Sequence, residues 1–372
     1  MNKTKLGLLL FLLIIVLALI FVWWEFLGKR MNPLPKANGS RANAALQTNQ
    51  PLTAVVAAHL NVPWAIDFLP DQNLLMSERA GIVSLINLRE QHKRELLRID
   101  EVAPIGEGGL LGLVVHPNFK SNHYVYLYYT YQTNDEYFNK VVRYELNEDV
   151  LGNATVILDK IPGASTHDGG RIRFGPDGYL YITTGDAQRP QDAQDLNSLA
   201  GKILRLKDDG SIPKDNPFSN SPVYSYGHRN PQGIAWDETG QLWATEHGPS
   251  AHDEINLIKP GKNYGWPLVT GKETKEGIEK PLLESGNATW APSGAEVFQS
   301  TLYFCGLRGR TLYAFNLKTR ELKKYFQGKL GRLREIKVGP DKLFYIATNN
   351  RDGRGVPKAE DDMIVRVNLG KL

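Results

Sequence analysis

Most of the chain, from Leu52 onward, alternates between short hydrophobic runs and breaks made of Gly, Pro, Asp and Asn. Alternation with a period of two is typical of a β-strand that buries one face. This part of the sequence contains no long segment with the 3.6-residue period of an amphipathic helix. The pattern therefore predicts an all-β body.

One sequence phrase recurs along this body: a turn, followed by a strand rich in aromatic and β-branched residues. A single copy is explained as an ordinary hairpin. Six copies at intervals of about 40 to 60 residues predict a six-bladed β-propeller with one four-stranded sheet per blade, whereas a β-sandwich would need fewer and more evenly spaced strands. The last apolar run, Met363 to Leu369, is expected to pair with the segment around Leu52 to Leu60 and close the ring. The copies begin at Pro70, His116, Pro176, Asp237, Phe298 and Pro340.

The N-terminus has a different pattern. Residues Leu6 to Trp24 are uncharged and almost wholly apolar. At about 1.5 Å per residue this stretch is roughly 28 Å long as a helix, close to the hydrocarbon thickness of a bilayer. It lacks the small residues at which a signal peptide is usually cleaved. We therefore interpret residues 1–31 as a transmembrane anchor helix, with a cleaved signal segment as the alternative.

The remaining boundaries follow from composition. Residues 32–51 are rich in Asn, Ala, Pro and Gln, as in a flexible linker, and residues 52–372 form the propeller domain. Positive charge after the apolar stretch, at Lys29 and Arg30, favours a cytoplasmic body by charge counting alone. Long folded domains translocate largely regardless of such charges, so we expect the body on the periplasmic face of the inner membrane, or free in the periplasm after cleavage.

Composition narrows the function classes. The formal net charge is +4 on 372 residues, and the basic residues are scattered, which argues against nucleic-acid binding. Cys305 is the single cysteine, which excludes an internal disulfide framework and a multi-cysteine zinc site.

Four stretches are too polar and too rich in glycine to form blade cores; they include the segments from Gly106, Thr166 and Tyr226 and the one around Arg332 and Arg334. In the second, His167 is suited to accept a proton from a substrate hydroxyl if the imidazole is neutral and held in one tautomer. Asp186, which ends the following TTGD, is suited to orient that imidazole. On residue type alone, a turn histidine and a loop-capping aspartate remain the simpler explanation.

The third stretch reads GHRNPQG, then EHGPSAHDEINLI, then NYGWP. With these motifs, the chain from about Leu60 to Leu369 resembles the soluble PQQ-dependent glucose and aldose sugar dehydrogenases, the glucose/sorbosone dehydrogenase family of quinoproteins. The resemblance implies oxidation of an aldose at the anomeric carbon to a lactone, with hydride transfer to PQQ and a separate, unidentified electron acceptor. It also implies that His167 is the general base and Asp186 its orienting carboxylate.

The same resemblance implies which side chains contact PQQ, an o-quinone that carries three carboxylates. Arginine suits such a ligand because its planar fork binds both carboxylate oxygens. Arg229 is expected beside the reactive carbonyl, where it would also stabilise the oxyanion. Glu107 stands where a relative has glutamine, and an acid beside an anionic cofactor is unfavourable unless a cation or proton compensates it. The implied contacts are Glu107, Gln191, Arg229, Asn230, Arg308, Arg332 and Arg334.

A calcium ion that also binds PQQ is implied at the backbone carbonyls of Gly248 and Pro249. Calcium is a hard cation that accepts backbone oxygens readily, so the lack of a carboxylate cluster is no objection. Asp253 and Glu254 are alternative ligands by residue type, or purely structural residues.

Two other functions fit a propeller. A calcium-dependent lactonase would hold its metal with carboxylate and asparagine side chains and would need no quinone. A non-catalytic propeller would bind a ligand or a protein partner, since fold does not settle function. GHRNPQG, together with His167, Asp186 and Arg229, favours the dehydrogenase, because a silent relative should have lost one of these residues.

Overall fold

A computed structural model of the chain describes residues 51–371, which form six four-stranded antiparallel sheets. This confirms the predicted six-bladed β-propeller. Across residues 51–371, no helix is long and apolar enough to cross a membrane. The predicted anchor, residues 1–31, and nearly all of the predicted linker lie outside the described residues.

The sheets are numbered as blades in chain order. Blade 1 contains β2 (Pro63–Phe68), β3 (Leu74–Glu78), β4 (Ile82–Asn87) and β5 (His92–Arg98). Blade 2 contains β6 (Leu110–Val115), β7 (Tyr124–Thr133), β8 (Glu136–Asn147) and β9 (Val150–Pro162). Blade 3 contains β10 (Ile172–Phe174), β11 (Leu180–Thr184), β12 (Lys202–Leu206) and β13 (Val223–Tyr226). Blade 4 contains β14 (Pro231–Trp236), β15 (Leu242–Glu246), β16 (Glu254–Ile258) and β17 (Leu283–Glu284). Blade 5 contains β18 (Pro292–Phe298), β19 (Thr301–Gly306), β20 (Thr311–Asn316) and β21 (Leu322–Tyr325). Blade 6 contains β22 (Leu333–Val338), β23 (Phe344–Thr348), β24 (Ile364–Val367) and β1 (Thr53–Ala57). One helical turn, α1 (Phe119–Asn122), and two 3-10 segments, Pro190–Ala193 and Leu369–Lys371, complete the elements.

Blade 6 closes the ring with strands from both ends of the described chain. Its outermost strand, β1, pairs antiparallel with β24, so that Thr53 lies opposite Val367 and Val55 opposite Val365. This confirms the predicted closure.

The recurring phrase marks the same element in every blade: the turn after the first strand, then the second strand. In blade 3, Asp177 Oδ1 accepts the Tyr179 backbone N–H at 3.2 Å, and its Oδ2 accepts the Tyr181 hydroxyl at 2.9 Å. Blade 6 repeats this arrangement at Asp341, which accepts the Tyr345 hydroxyl at 3.1 Å. One aspartate therefore closes the turn and anchors the aromatic ring of the next strand.

This topology also decides where the polar stretches meet. In an antiparallel four-stranded blade, the loops after the second and fourth strands emerge on one face, and the turns after the first and third strands emerge on the other. Glu107, His167 and Arg229 lie in loops that join one blade to the next. Asp186 and Gly248 follow the second strands of blades 3 and 4. The glycine-rich stretches are therefore gathered on one face.

Candidate active site

A cavity of about 270 Å³ opens on this face. Its lining carries more positive than negative charge, since five arginines but only two carboxylates contribute to it. Among the lining residues are Glu107, His167, Arg229, His247, Gly248, Pro249, Asp253, Arg308, Arg332, Arg334 and Arg354.

His167 and Asp186, predicted as a pair, are in direct contact. Asp186 Oδ1 lies 2.8 Å from His167 Nδ1, and the carboxylate is almost fully buried while the imidazole is 20% exposed. Asp186 Oδ1 also accepts the Gln188 backbone N–H at 2.9 Å, and Oδ2 accepts the indole N–H of Trp266 at 2.8 Å. A carboxylate that only accepts hydrogen bonds holds the proton on Nδ1, so the neutral ring keeps its lone pair on Nε2.

Glycine makes this pairing possible. A Cβ atom on Gly185, between Thr184 and Asp186, would come within 1.8 Å of the His167 carbonyl oxygen. The TTGD loop therefore lies directly against the loop that carries His167. His167 itself has a left-handed backbone, with φ of 64°.

Arg229 is fixed from several sides. Its backbone N–H donates to the carboxylate of Glu246, and Nη1 donates to the Gly248 carbonyl at 2.8 Å. The guanidinium carbon lies 5.2 Å from the centre of the Trp266 ring, a cation–π distance. Burial lowers the pKa of Arg229, although the nearby Asp186 and Glu246 carboxylates oppose that shift.

The histidine of GHRNPQG has a different role from its arginine. His228 is fully buried, with Nδ1 2.9 Å from Glu246 Oε2 and Nε2 2.9 Å from the Ser225 hydroxyl. His228 and Glu246 therefore belong to the scaffold that positions Arg229. Sequence reasoning had not assigned this role.

Three buried polar atoms have no hydrogen-bond partner within residues 51–371: Arg229 Nε and His247 Nε2 in the cavity lining, and Nδ2 of Asn230, which is fully buried and does not line the cavity. Asn230 is held by its other amide atom, Oδ1, which accepts the Gly169 N–H at 3.0 Å. Buried polar groups in proteins are almost always paired, so these atoms fit a ligand rich in hydrogen-bond acceptors.

Glu107 has the compensating cation that its position requires. The carboxylate forms an ion pair with Arg354, and its Oε2 accepts the His167 backbone N–H at 3.3 Å. Burial raises the pKa of Glu107, but the hydrogen bond from Arg354 and the charge of His247 outweigh burial and bring the pKa to about 2. Arg354 was missed by sequence reasoning because it lies in a distant loop after β23.

The other predicted cofactor residues differ in their burial and in whether they line the cavity. Arg334 is deeply buried, donates to Gln232 Oε1 at 2.8 Å, and has its pKa lowered by burial to about 9. Arg332 is paired with Asp352 at 2.6 Å, and Arg308 is exposed at the rim. Gln191 lies exposed on the 3-10 turn and does not line the cavity.

The loop with the proposed calcium carbonyls is fixed by Asp253. Oδ1 of Asp253 accepts the Gly248 N–H at 3.0 Å, and Oδ2 accepts the N–H groups of Trp290 and Ala291 at 2.6 and 2.9 Å. Asp253 therefore has the structural role rather than that of a free ligand. The part of the chain that the structure describes has no cluster of three or more His, Cys, Asp or Glu side chains suited to a metal. A cation here would need backbone carbonyls and oxygens of a bound ligand, which calcium accepts.

A six-bladed propeller with a histidine–aspartate pair beside an arginine-lined cavity is suited to bind an anionic ligand next to a proton acceptor. Residues 60–364 match the sequence profile of the Glucose / Sorbosone dehydrogenase family, and the chain belongs to that family. It is thus an oxidoreductase of the sugar dehydrogenase class.

Individual relatives agree with this assignment. The chain is 32% identical to aldose sugar dehydrogenase YliI of Escherichia coli over 80% of this chain and 90% of the relative. It is 38% identical to quinoprotein glucose dehydrogenase B of Acinetobacter calcoaceticus over 60% and 54%. The PQQ-bound structure of aldose sugar dehydrogenase from Streptomyces coelicolor is 39% identical, with a TM-score of 0.80 over 85% of this chain and 98% of that chain.

Proposed function

We propose that this protein oxidises aldose sugars at the anomeric carbon to lactones, with PQQ as cofactor and calcium beside it. The observation that carries the proposal is the His167–Asp186 pair in the wall of a cavity with an excess of arginine. The pair supplies a proton acceptor, and the arginines suit a ligand with several carboxylates. The PQQ-bound relative from Streptomyces coelicolor supports the choice of cofactor.

The residues present fit PQQ. Arg229 and His247 line the cavity and have buried polar atoms in need of partners, and Arg332 and Arg334 add positive charge to the same lining. Asn230 stays a predicted contact, although it is fully buried behind the cavity lining. When bound, PQQ would accept the hydride from the anomeric carbon, which is chemistry that no protein side chain supplies. Gln191 stays a predicted contact, although it lies outside the cavity.

The side chains of this chain account for the proton. Nε2 of His167 takes the proton of the anomeric hydroxyl as the hydride leaves, and the Asp186 carboxylate stabilises the imidazolium that forms. Trp266 and the Gln188 backbone hold Asp186 in place while this charge develops. Arg229 supplies fixed positive charge where negative charge develops, without needing to reorganise.

The carbonyl oxygens of Gly248 and Pro249 would hold the calcium ion, which would act as a Lewis acid. The Gly248 oxygen already accepts one hydrogen bond from Arg229, and a carbonyl oxygen has a second lone pair. We expect thorough chelation to abolish activity and weaken PQQ binding, and added calcium to restore both. Full activity and unchanged PQQ affinity after chelation would remove the metal from this site.

The deciding experiment uses the full-length protein in detergent, reconstituted with PQQ and calcium. A panel of aldoses is assayed with an artificial electron acceptor, and lactone formation is followed by chromatography. PQQ-dependent lactone formation is the expected result. Hydrolysis of added lactones without PQQ would favour the lactonase alternative instead.

We also propose that residues 6–24 anchor the protein and that the propeller faces the periplasm, where an unidentified acceptor reoxidises the cofactor. Protease added to intact spheroplasts should then remove the propeller, and a high-salt wash should not release the full-length protein, because a hydrophobic span is insensitive to screening. A protected propeller would mean the opposite orientation. Native protein that begins near Arg30 and is free in the periplasm would mean a cleaved signal.

A further inference from the structure

A second cavity, of about 610 Å³, opens beside the candidate active site, in the loops of blades 5 and 6. The two cavities share Leu307, Arg308, Arg332 and Arg354 in their linings, so they adjoin each other.

The lining of this second cavity is strongly cationic. It carries six basic side chains and a single carboxylate, that of Asp361. Asp361 is already engaged, because Oδ1 accepts the Asn350 side-chain amide at 2.9 Å and Oδ2 accepts the Lys358 backbone N–H at 2.6 Å. The basic side chains are Arg308, Arg310, Lys329, Arg332, Arg354 and Lys358.

Four of these six cations, Arg308 and three others, have no ion-pair partner within residues 51–371. Arg332 and Arg354 form ion pairs with Asp352 and Glu107, but no ion pair within residues 51–371 includes Arg310, Lys329 or Lys358.

The three unpaired cations other than Arg308 come from three separate loops: Arg310 between β19 and β20, Lys329 between β21 and β22, and Lys358 between β23 and β24. The propeller fold therefore brings them to one cavity; they do not belong to a single basic segment of the sequence. Like charges held together repel one another, and an anion bound among them offsets that repulsion. None of the three lines the active-site cavity, so they are separate from the arginines that would face the cofactor.

We propose that the second cavity binds a negatively charged substituent of the sugar, so that the preferred substrates are aldoses carrying a carboxylate or a phosphate. This inference rests on the proposed sugar oxidation. The anomeric carbon lies at His167, and the charged end of the sugar extends past Arg308 toward Arg310, Lys329 and Lys358. Guanidinium and ammonium groups form charge-assisted hydrogen bonds with both kinds of anion.

The test compares glucose, glucuronate and glucose 6-phosphate as substrates of the full-length, PQQ- and calcium-loaded protein. We expect kcat/KM to be at least about tenfold higher for one of the anionic sugars than for glucose. A triple variant combines Arg310→Gln, Lys329→Gln and Lys358→Gln. Its kcat/KM for the preferred anionic sugar should fall by about 10- to 100-fold, while its kcat/KM for glucose should change less than about twofold. Added salt should weaken the wild-type preference, since exposed charges are screened.

The control is Lys324→Gln, which removes one exposed charge from β21 of blade 5, outside both cavities. It should leave every substrate unchanged. Calorimetric titration of glucuronate and glucose 6-phosphate gives a readout without turnover: the wild type should bind the anionic sugar and the triple variant should not. Such binding without any sugar oxidation would contradict the proposed function but keep the anion site.

Four results would overturn the inference. The first is equal kcat/KM for glucose and both anionic sugars, and the second is an equal loss on all three in the triple variant. The third is a loss of PQQ affinity in that variant, which would assign the cations to the cofactor. The fourth is a triple variant whose only change, at saturating sugar, is the rate constant for the anionic electron acceptor ferricyanide. That result would assign the cavity to reoxidation of the cofactor.

Discussion

The candidate active site and the second cavity beside it are built differently. The catalytic wall, formed by His167, Asp186, Arg229 and Trp266, is held by specific hydrogen bonds between mostly buried groups. The cationic wall, formed by Arg310, Lys329 and Lys358, is exposed and unpaired within residues 51–371. A preorganised wall stabilises charge without reorganising, whereas exposed charges attract a ligand over distance but weaken in salt. The catalytic wall should therefore respond to single substitutions, and the cationic wall to ionic strength.

Glu107 connects the two walls. One carboxylate oxygen accepts the His167 backbone N–H, and the other pairs with Arg354, which lines both cavities. A change at this residue should therefore affect binding more than chemistry.

The strongest test of the catalytic wall is His167→Asn, because asparagine tolerates the left-handed backbone at this position. We expect turnover to fall by about 10²-fold or more, the scale of a positioned general base, with PQQ still bound. Steady-state kinetics and the absorbance of bound PQQ measure the two effects separately. The control is His123→Asn, since His123 has a similar φ of 57° but lies on the opposite face. Normal turnover in fully loaded His167→Asn would remove this residue from the mechanism.

A smaller effect is expected from Trp266→Phe. The substitution keeps a ring near Arg229 but removes the indole N–H that donates to Asp186. Loss of one hydrogen bond to a charged group should lower kcat by about tenfold. Trp243→Phe is the matched control, because the Trp243 indole donates to Asp237 at 2.9 Å in a turn of the opposite face. If both variants lose the same activity, the effect is structural rather than a matter of orienting Asp186.

Glu107→Gln should change cofactor affinity in an unexpected direction. Removal of this carboxylate makes the cavity more positive, so we expect PQQ to bind about three- to tenfold more tightly, while Arg354→Gln weakens it. Equilibrium dialysis measures both values. Glu101→Gln, which breaks an ion pair with Lys140 away from the cavity, should change neither. Weaker PQQ binding in Glu107→Gln would show that Glu107 contacts the cofactor as a hydrogen-bonding partner.

The smallest effect concerns stability beside the catalytic wall. Burial raises the pKa of Asp168 to about 7, although hydrogen bonds from Ala164 and Asn139 oppose that shift. When the pKa of a carboxyl group is higher in the folded than in the unfolded state, the folded protein loses stability as the pH rises between the two values, here from about 4 to about 7. Asp168→Asn should therefore raise the Tm more at pH 8 than at pH 5. Equal Tm differences at the two pH values would contradict a raised pKa of Asp168.

The fold was predictable because its signal is local. In blades 3 and 6 the turn aspartate acts on residues two and four positions away, as Asp177 does on Tyr179 and Tyr181, so this part of the signal is carried by contiguous sequence. His167 and Asp186 are 19 residues apart, and their pairing was expected from the family resemblance, because residue type alone favoured a turn histidine and a loop-capping aspartate.

The partners that complete the site were not visible, because they are distant in sequence. Trp266 lies 80 residues from Asp186, and Arg354 lies 247 residues from Glu107. Only the closed ring brings them together. Within GHRNPQG, nothing in the letters separates the buried scaffold role of His228 from the site role of its neighbour Arg229. Burial alone makes that distinction.

The pairing of β1 with β24 sets an order of events during biogenesis. The two strands are more than 300 residues apart, so the ring cannot close until almost the entire body has been synthesised. Contacts of such high sequence separation form late, because the loop entropy must be overcome first. Until then β1 has no partner strand, and its unpaired backbone groups are open to association with other chains. A circular permutant that joined the two ends and opened a turn between blades would make blade 6 from contiguous chain and transfer this delay to another blade.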